Sequence, residues 1–452
     1  MAVEGKILPV EEIKDLYGRG DTEGIKRLIA PLHPTDIARL FEGLDEAETV
    51  RVFRLLHKGV AASVLLELDS RVKEFLVSSV SAEELAQIVG EMESDDAADI
   101  VAELPLKEAK EVLDGIEKKE AVEVEKLLKY PEDTAGGKMQ AELVSVREDV
   151  TVRDTIEEAR RRSKEVENFS SLFVVDSRGA FVGTVPLERL ILADEDQPIK
   201  DITDTKALKV TTDVDQEEVA KMFRRYDLLS MPVVDRHNRL VGRITVDDVV
   251  DVIEEEIFED FYRMAGLNVE ERVFDPARRS IWMRFPWLLA NLGTAFLAAS
   301  VVGIFRSTIE GHVVLAVFMP IVAGMGGNAA TQTITVVVRG LALGEMAPKT
   351  ARWVLRKEGL VGLANGVLTG IVATFLSYIF GVQLMIGVLL FLAMIINLLI
   401  AGLSGAFIPL VLRWFKVDPA LSATIFVTTC TDIGGFFAFL GLASVFMKIG
   451  LL

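Results

Sequence analysis

The chain has 452 residues, a formal net charge of −19 and one cysteine. So acidic a chain is not expected to bind nucleic acid, and one cysteine excludes an intramolecular disulfide framework or a multi-cysteine metal site. The charge is split: of 68 acidic and 49 basic residues, 5 and 12 lie from Arg278 onward, leaving 63 and 37 before it, or +7 against −26. Two such balances point to two solvents, water for the first part and a membrane for the second.

The chain opens MAVEGKILPVEEIKD, with no basic stretch followed by an apolar run. No cleavable signal peptide is expected, and the soluble part should stay in the cytoplasm. Residues up to about Tyr130 read as all-helical. Helix starts are expected at Pro34-Thr35-Asp36-Ile37, Ser81-Ala82-Glu83-Glu84-Leu85 and Ser94-Asp95-Asp96-Ala97, each a cap before an apolar-periodic run. Short helices in close succession suggest a small superhelix. Pro131-Glu132-Asp133-Thr134-Ala135-Gly136-Gly137 breaks the pattern.

Residues 173–190 and 232–249 then match at a period of 59. Each copy reads as strand, polar turn, strand and helix start, with Asp176 and Asp235 opening the turns and Gly183 and Gly242 in the second strands. An amphipathic helix precedes each copy, near 151–163 and 216–226. The repeat resembles a tandem pair of CBS domains, modules that commonly sense adenine nucleotides or ions. Neither copy carries a phosphate-binding P-loop or a GxGxxG.

Residues 247–260 hold eight acids and no base. On a helix, Asp248, Asp251, Glu255 and Glu259 share one face, and Val250, Ile253, Ile257 and Phe261 the opposite one. The apolar face is expected to pack on the domain, leaving a carboxylate stripe. With Asp95, Asp96 and Asp99 this makes two negative surfaces, which repel unless divalent cations bridge them. A solvated acidic face is the plainer alternative. A bridging cation would close the assembly and its loss would let it spread.

Charge-free runs at 285–305, 311–338 and 359–412, and the run 419–447 with a single charge, define the membrane part. The third run covers 54 residues and must hold two helices, turning at Gly381-Val382-Gln383, so five spans are expected. Arg278, Arg279, Arg284, Arg339, Lys349, Arg352, Arg356, Lys357, Arg413 and Lys416 fall on one side, which puts the N-terminus inside and the C-terminus outside. Asp432 is the one charged residue in the last run. An acid at that depth costs at least roughly 2.5–3.5 kcal/mol, so it marks a cation path or a hydrogen bond between helices. Pro320 and the run Gly324-Met325-Gly326-Gly327-Asn328 in the second span loosen backbone bonding or form a small-residue seam. Asn328, Thr331 and Gln332, with Thr428, Thr431 and Asp432, make an all-oxygen set suited to a hydrated Mg²⁺. Asn291, Asn365 and Asn397 are expected to bond between helices. Cys430 is expected to be a reduced packing thiol.

The whole order resembles the MgtE family of Mg²⁺ channels and transporters. The motifs are Tyr130-Pro-Glu-Asp-Thr-Ala-Gly-Gly137, Gly326-Gly327-Asn328 with Gln332, and Asp418-Pro419-Ala420 followed by Thr428-Thr429-Cys430-Thr431-Asp432. The resemblance implies a multidomain membrane protein: an all-α superhelical N domain (1–130), an α/β tandem CBS pair (131–200 and 201–257), a connecting plug helix (258–280) and a five-helix transmembrane domain (281–452). It implies a plasma-membrane homodimer, no enzymatic activity, and a pore lined by the second and fifth spans. Asp432, Gly327, Asn328, Gln332, Thr428 and Thr431 would hold Mg²⁺ in the pore. Asp95, Asp96, Asp99, Glu217, Asp227, Asp248, Asp251, Glu255, Glu256 and Glu259 would sense cytosolic Mg²⁺. ATP or another adenine nucleotide would bind the CBS pair, where Glu188 and Asp248 could meet a ribose. Where the family has Ser-Gly-Pro or Asn-Pro after Asp-Pro-Ala, this chain has Leu421-Ser422-Ala423-Thr424. A secondary transporter coupling a divalent cation to H⁺ or Na⁺ is the alternative.

Overall fold

The computed structural model describes residues 9–163, 166, 169–346, 350–420 and 423–452; Lys349, Leu421 and Ser422 of the sequence reading lie outside the described residues. It divides into two compact units, Met1–Ile253 and Glu254–Leu452.

In the first unit ten short helices run from Val10–Arg19 to Lys118–Leu127. Their starts follow local chemistry. Asp45 with Glu48, and Ser81 with Glu84, form reciprocal capping boxes, which satisfy backbone N–H groups a short helix leaves open. Two expected starts differ. His33 caps the helix Pro34–Phe41, so Pro34 is the first helical residue, where its missing N–H costs nothing. Glu93 takes the cap position of Ser94–Ala102, and the Ser94 hydroxyl turns away to donate to Glu142 (2.7 Å).

The two CBS copies fold alike. In the first, β1 (Ser145–Arg147) pairs parallel with β2 (Ser171–Val175), which pairs antiparallel with β3 (Phe181–Pro186). In the second, β4 (Val210–Thr211), β5 (Ser230–Val234) and β6 (Leu240–Thr245) repeat that order. The turns are built by the expected aspartates: Asp176 accepts from the N–H groups of Arg178 and Ala180, and Asp235 from those of His237 and Arg239. A Cβ on Gly242 would stand 2.7 Å from the Gln140 carbonyl oxygen, so the missing side chain lets the 139–140 segment lie against β6. The segment after Tyr130 is tied down rather than open: Ala135 and Gly136 donate to the carbonyls of Val214 and Thr212. The N-terminal helices share one apolar core with the second CBS copy, and the first copy has its own.

One helix, Val246–Ala265, runs on from β6 and ends at Gly266 with φ +71°, so the boundary expected at residue 257 falls inside a helix. Its expected apolar face is corrected. Val249 and Val252 are the buried residues, whereas Val250, Ile257 and Phe261 are more than half exposed. The exit from β6 fixes the helix rotation, and it turns the 249/252 edge into the core.

Among the described residues the second unit has five helices long and apolar enough to cross a membrane: Ala277–Ile304, Val314–Ala342, Ala351–Ile379, Leu384–Trp414 and Thr424–Lys448. They are called the first to fifth spans below. A short helix, Arg306–Gly311, joins the first two, and Gly381 (φ +74°) turns between the third and fourth as expected. The second span stays helical through Pro320 and its glycines, which corrects the expectation of loosened backbone there. Gly362 and Gly366 of the third span abut the backbone of the fourth: a Cβ would lie 2.4 Å from the Leu398 carbonyl oxygen and 2.7 Å from the Ile395 Cα. Trp282, Trp353 and Trp414 are exposed at the arginine-bearing ends, where indoles prefer the interface.

Candidate metal centres

Two sites were anticipated, one in each unit. In the first unit, the chain folds carboxylates together from distant elements. Glu93, Asp95 and Asp96 sit at the start of the helix Ser94–Ala102, where free N–H groups favour negative charge. Asp248 comes from the first turn of Val246–Ala265. Gln140 links them, its amide donating to Glu93 Oε2 (2.7 Å) and Asp248 Oδ2 (3.2 Å). The Thr245 hydroxyl also donates to Asp248 Oδ2 (2.6 Å). Arg243, fully buried, approaches Glu93 Oε1 at 3.9 Å and bridges Gln140 through paired backbone hydrogen bonds.

One ligand oxygen from each of Glu93, Asp95 and Asp96 falls within 4.8 Å of the others. Opposite ligands around a Mg²⁺ ion stand about 4.2 Å apart, so this spacing suits direct or partly water-bridged ligation. Asp95 is 6% exposed, and its buried Oδ1 has no hydrogen-bond partner. An orphaned anionic oxygen in the interior is costly unless a cation meets it.

The electrostatics agree. Burial raises Glu93 to about 7, against the pull of Arg243 and with help from Asp248 and Asp96. Burial, then Asp248 and Asp99, raise Asp96 to about 7. Burial, then Asp248, Asp96 and Glu93, push Asp95 well above the carboxylate range. Asp248 is raised by burial despite its Thr245 hydrogen bond. Four acids disfavoured as anions form a cluster that either holds protons or takes a cation.

Of the expected sensor residues, the structure brings Asp95, Asp96 and Asp248 together, with Asp99 and Asp251 close enough to act on Asp96. Glu217 pairs instead with Lys221 (2.9 Å), and Asp227 ends the helix Gln216–Tyr226 in the left-handed conformation. Glu255, Glu256 and Glu259 belong to the second unit's part of the helix, where Glu259 pairs with Arg263. Glu93, Gln140 and Arg243 were not anticipated. Glu93 directly precedes Ser94-Asp95-Asp96 and was legible, but a buried arginine in a strand gives no local signal.

In the second unit, the second and fifth spans pack against each other. Asp432 is partly buried, and no hydrogen-bond or ion-pair partner is found for it among the described residues. Asn328, Thr331 and Gln332 are exposed on the second span, and Gly327 has open space above its Cα. The Thr331 hydroxyl donates to the Gly327 carbonyl (3.0 Å) and Thr428 to that of Thr424 (2.8 Å), leaving their oxygen lone pairs available. Thr431 is fully buried and donates to the Thr428 carbonyl, away from the open face. Cys430 is exposed rather than packed.

The end of the connecting helix is fastened beside the fifth span. Arg263 pairs with Asp418, and the Thr424 hydroxyl donates to the Met264 carbonyl (2.8 Å). Neither Arg263 nor Asp418 was anticipated in a contact, because their separation of 155 residues hides it.

Comparison with known proteins places these features. Residues 319–442 match the MgtE divalent cation transporter model, 32–133 the MgtE intracellular N domain, and 136–196 and 199–255 the CBS domain. The magnesium transporter MgtE of Thermus thermophilus is 36% identical over 72% of this chain and 72% of its own. That of Bacillus subtilis is 32% identical over the same shares. Among solved structures, the cytosolic domain of the Mg²⁺ channel MgtE in complex with ATP is 35% identical, covers 54% of this chain and 99% of its own, and gives a TM-score of 0.51. The soluble part of a magnesium transporter is 28% identical, covers 55% and 97%, and gives 0.50. The chain, with its helical domain, CBS pair and five membrane-crossing helices, belongs to the MgtE family of divalent cation transporters.

Proposed function

We propose that this protein is a Mg²⁺ channel of the plasma membrane, gated by Mg²⁺ binding to its cytosolic unit. The observation that carries the gating is the convergence of Glu93, Asp95 and Asp96 on one point beside Asp248, with one buried oxygen unpartnered. Without a cation these acids repel, which weakens the hold of the Ser94–Ala102 helix on the second CBS copy. With Mg²⁺ bound, repulsion becomes ligation and the closed arrangement is favoured. Asp99, Asp251, Glu255, Glu256 and Glu259 would extend the cation-binding surface, with Glu217 and Asp227 as outlying sites.

The conducting path would lie along the second and fifth spans, with Asp432 holding a hydrated Mg²⁺ near Gly327, Asn328, Gln332, Thr428 and Thr431. A second copy supports this reading: Asn328, Thr331 and Gln332 are exposed in one chain, and polar groups facing lipid are costly. The same homodimer would cover the open stripe of Val250, Ile257 and Phe261. The arginine-bearing loops would face the cytoplasm and the C-terminus the outside. ATP, bound by a relative's cytosolic domain, would bind this CBS pair as well.

The test is single-channel recording with Mg²⁺ varied on the cytoplasmic side. Conduction that falls as cytoplasmic Mg²⁺ rises is the expected result. Flux that instead requires a Na⁺ or pH gradient would replace the channel by a coupled transporter.

A further inference from the structure

Asn397 belongs to the fourth span, which is neither of the two spans proposed to line the pore. It is fully buried, and its amide donates to the Val322 carbonyl of the second span (2.7 Å). Two glycines clamp that amide. A Cβ on Gly326 of the second span would stand 2.3 Å from Asn397 Nδ2 and 3.0 Å from Oδ1. A Cβ on Gly435 of the fifth span would stand 2.8 and 2.9 Å from the same atoms. Among the described residues no N–H or O–H group donates to the buried Asn397 Oδ1, and both glycines lie beside it.

The two glycines sit at the level of the candidate ion-binding residues. Gly326 is next to Gly327 and two residues from Asn328, and Gly435 is three residues from Asp432. One side chain thus meets both helices behind the face they present, at the depth where that face carries its oxygens. Neither helix can approach the other there without compressing the amide, and the second span cannot rotate there without breaking the bond to Val322.

We propose that Asn397 is a positioning residue for ion selection: it sets the spacing of the second and fifth spans beside Asp432 and the rotation of the second, and through them the width of the hydrated-ion site. This rests on the proposed pore. A site for a hydrated cation discriminates by cavity size and by how its oxygens are held, so a spacer that shifts those helices changes the ratio between ions more than the total flux. The glycines follow from the same device, since only a residue without a Cβ leaves room for the amide.

The test uses the full chain in liposomes, comparing Mg²⁺ with the larger Ca²⁺. Asn397→Leu keeps similar volume but cannot donate, and Gly326→Ala pushes a methyl into the amide. Each is expected to shift the Mg²⁺/Ca²⁺ permeability ratio at least fivefold toward Ca²⁺. In an Asn397→Ala background, Gly326→Ala is expected to add less than twofold, because the group it collides with is gone. A ratio within twofold of wild type in both single variants overturns the proposal, as does full additivity in the double variant. Should Asn397→Leu fail to fold, Gly326→Ala and the double variant decide. Asp432→Asn is run in parallel: lost flux there with unchanged ratios in the others removes the role of Asn397 alone, and unchanged flux there removes the pore reading with it.

Discussion

Replacing Asp96 by Asn tests the cytosolic cluster quantitatively. A rise of the Asp96 carboxyl from 3.8 to about 7 corresponds to about 4 kcal/mol against the ionised form in the folded chain. Glu93, Asp95 and Asp248 share that repulsion, so removing one charge is assigned about half, or ~2 kcal/mol. The folded-state value lies above the unfolded one, so the cost is absent below about pH 4, grows as pH rises through about 7 and is complete above it. At pH 8 without divalent cations, amide hydrogen exchange in the helix Ser94–Ala102 of the full chain in detergent should therefore slow about 30-fold in Asp96→Asn. At pH 6 roughly two thirds of that free-energy difference should remain, and it should vanish only near pH 4, where the carboxyl is protonated in the folded and unfolded chain alike. Saturating Mg²⁺ should reverse the order at pH 8, protecting wild type more than the variant. Equal or faster exchange in the variant at pH 8 in chelator would refute the account of a frustrated anionic cluster.

Asp432→Asn should lower Mg²⁺ uptake at least tenfold with protein level unchanged, measured by isotope or fluorescent-dye flux into liposomes. Gly242→Ala places a methyl against the Gln140 carbonyl and should cost about 1–3 kcal/mol; calorimetric Mg²⁺ titration should find weaker cytosolic binding, since Gln140 joins Glu93 to Asp248. Thr424→Val removes the hydrogen bond to Met264, about 1 kcal/mol, and should raise the Mg²⁺ concentration for half-closure roughly fivefold in patch recordings.

The repeated strands, the five spans and the mutual approach of Asp95, Asp96 and Asp248 were legible because each rests on a local pattern: alternation, a charge-free run, or a density of like charge. What stayed hidden depends on partners far away in sequence. Period alone gives an apolar face but not its partner, so Val250, Ile257 and Phe261 looked like the packed edge, although Val249 and Val252 take that place. Ser94 looked like a cap because of its type, yet Glu142, 48 residues on, claims its hydroxyl. Gly326 read as a loosened helix or a packing seam, and only the position of Asn397 decides for the seam. Asn397 itself behaves as expected, as a bond between helices.

The close seam between the third and fourth spans has a mechanical consequence. Gly362, Gly366 and Gly402 meet backbone atoms directly, with no flexible side chain between them to absorb a displacement. Such a pair slides only in whole-residue steps or not at all, and so behaves as a stator. The first span is different: nearly all of its apolar length is exposed within a single chain, with no such backbone seam to its neighbours. Any small, graded movement in this unit is therefore expected outside that hairpin, which serves as the fixed reference.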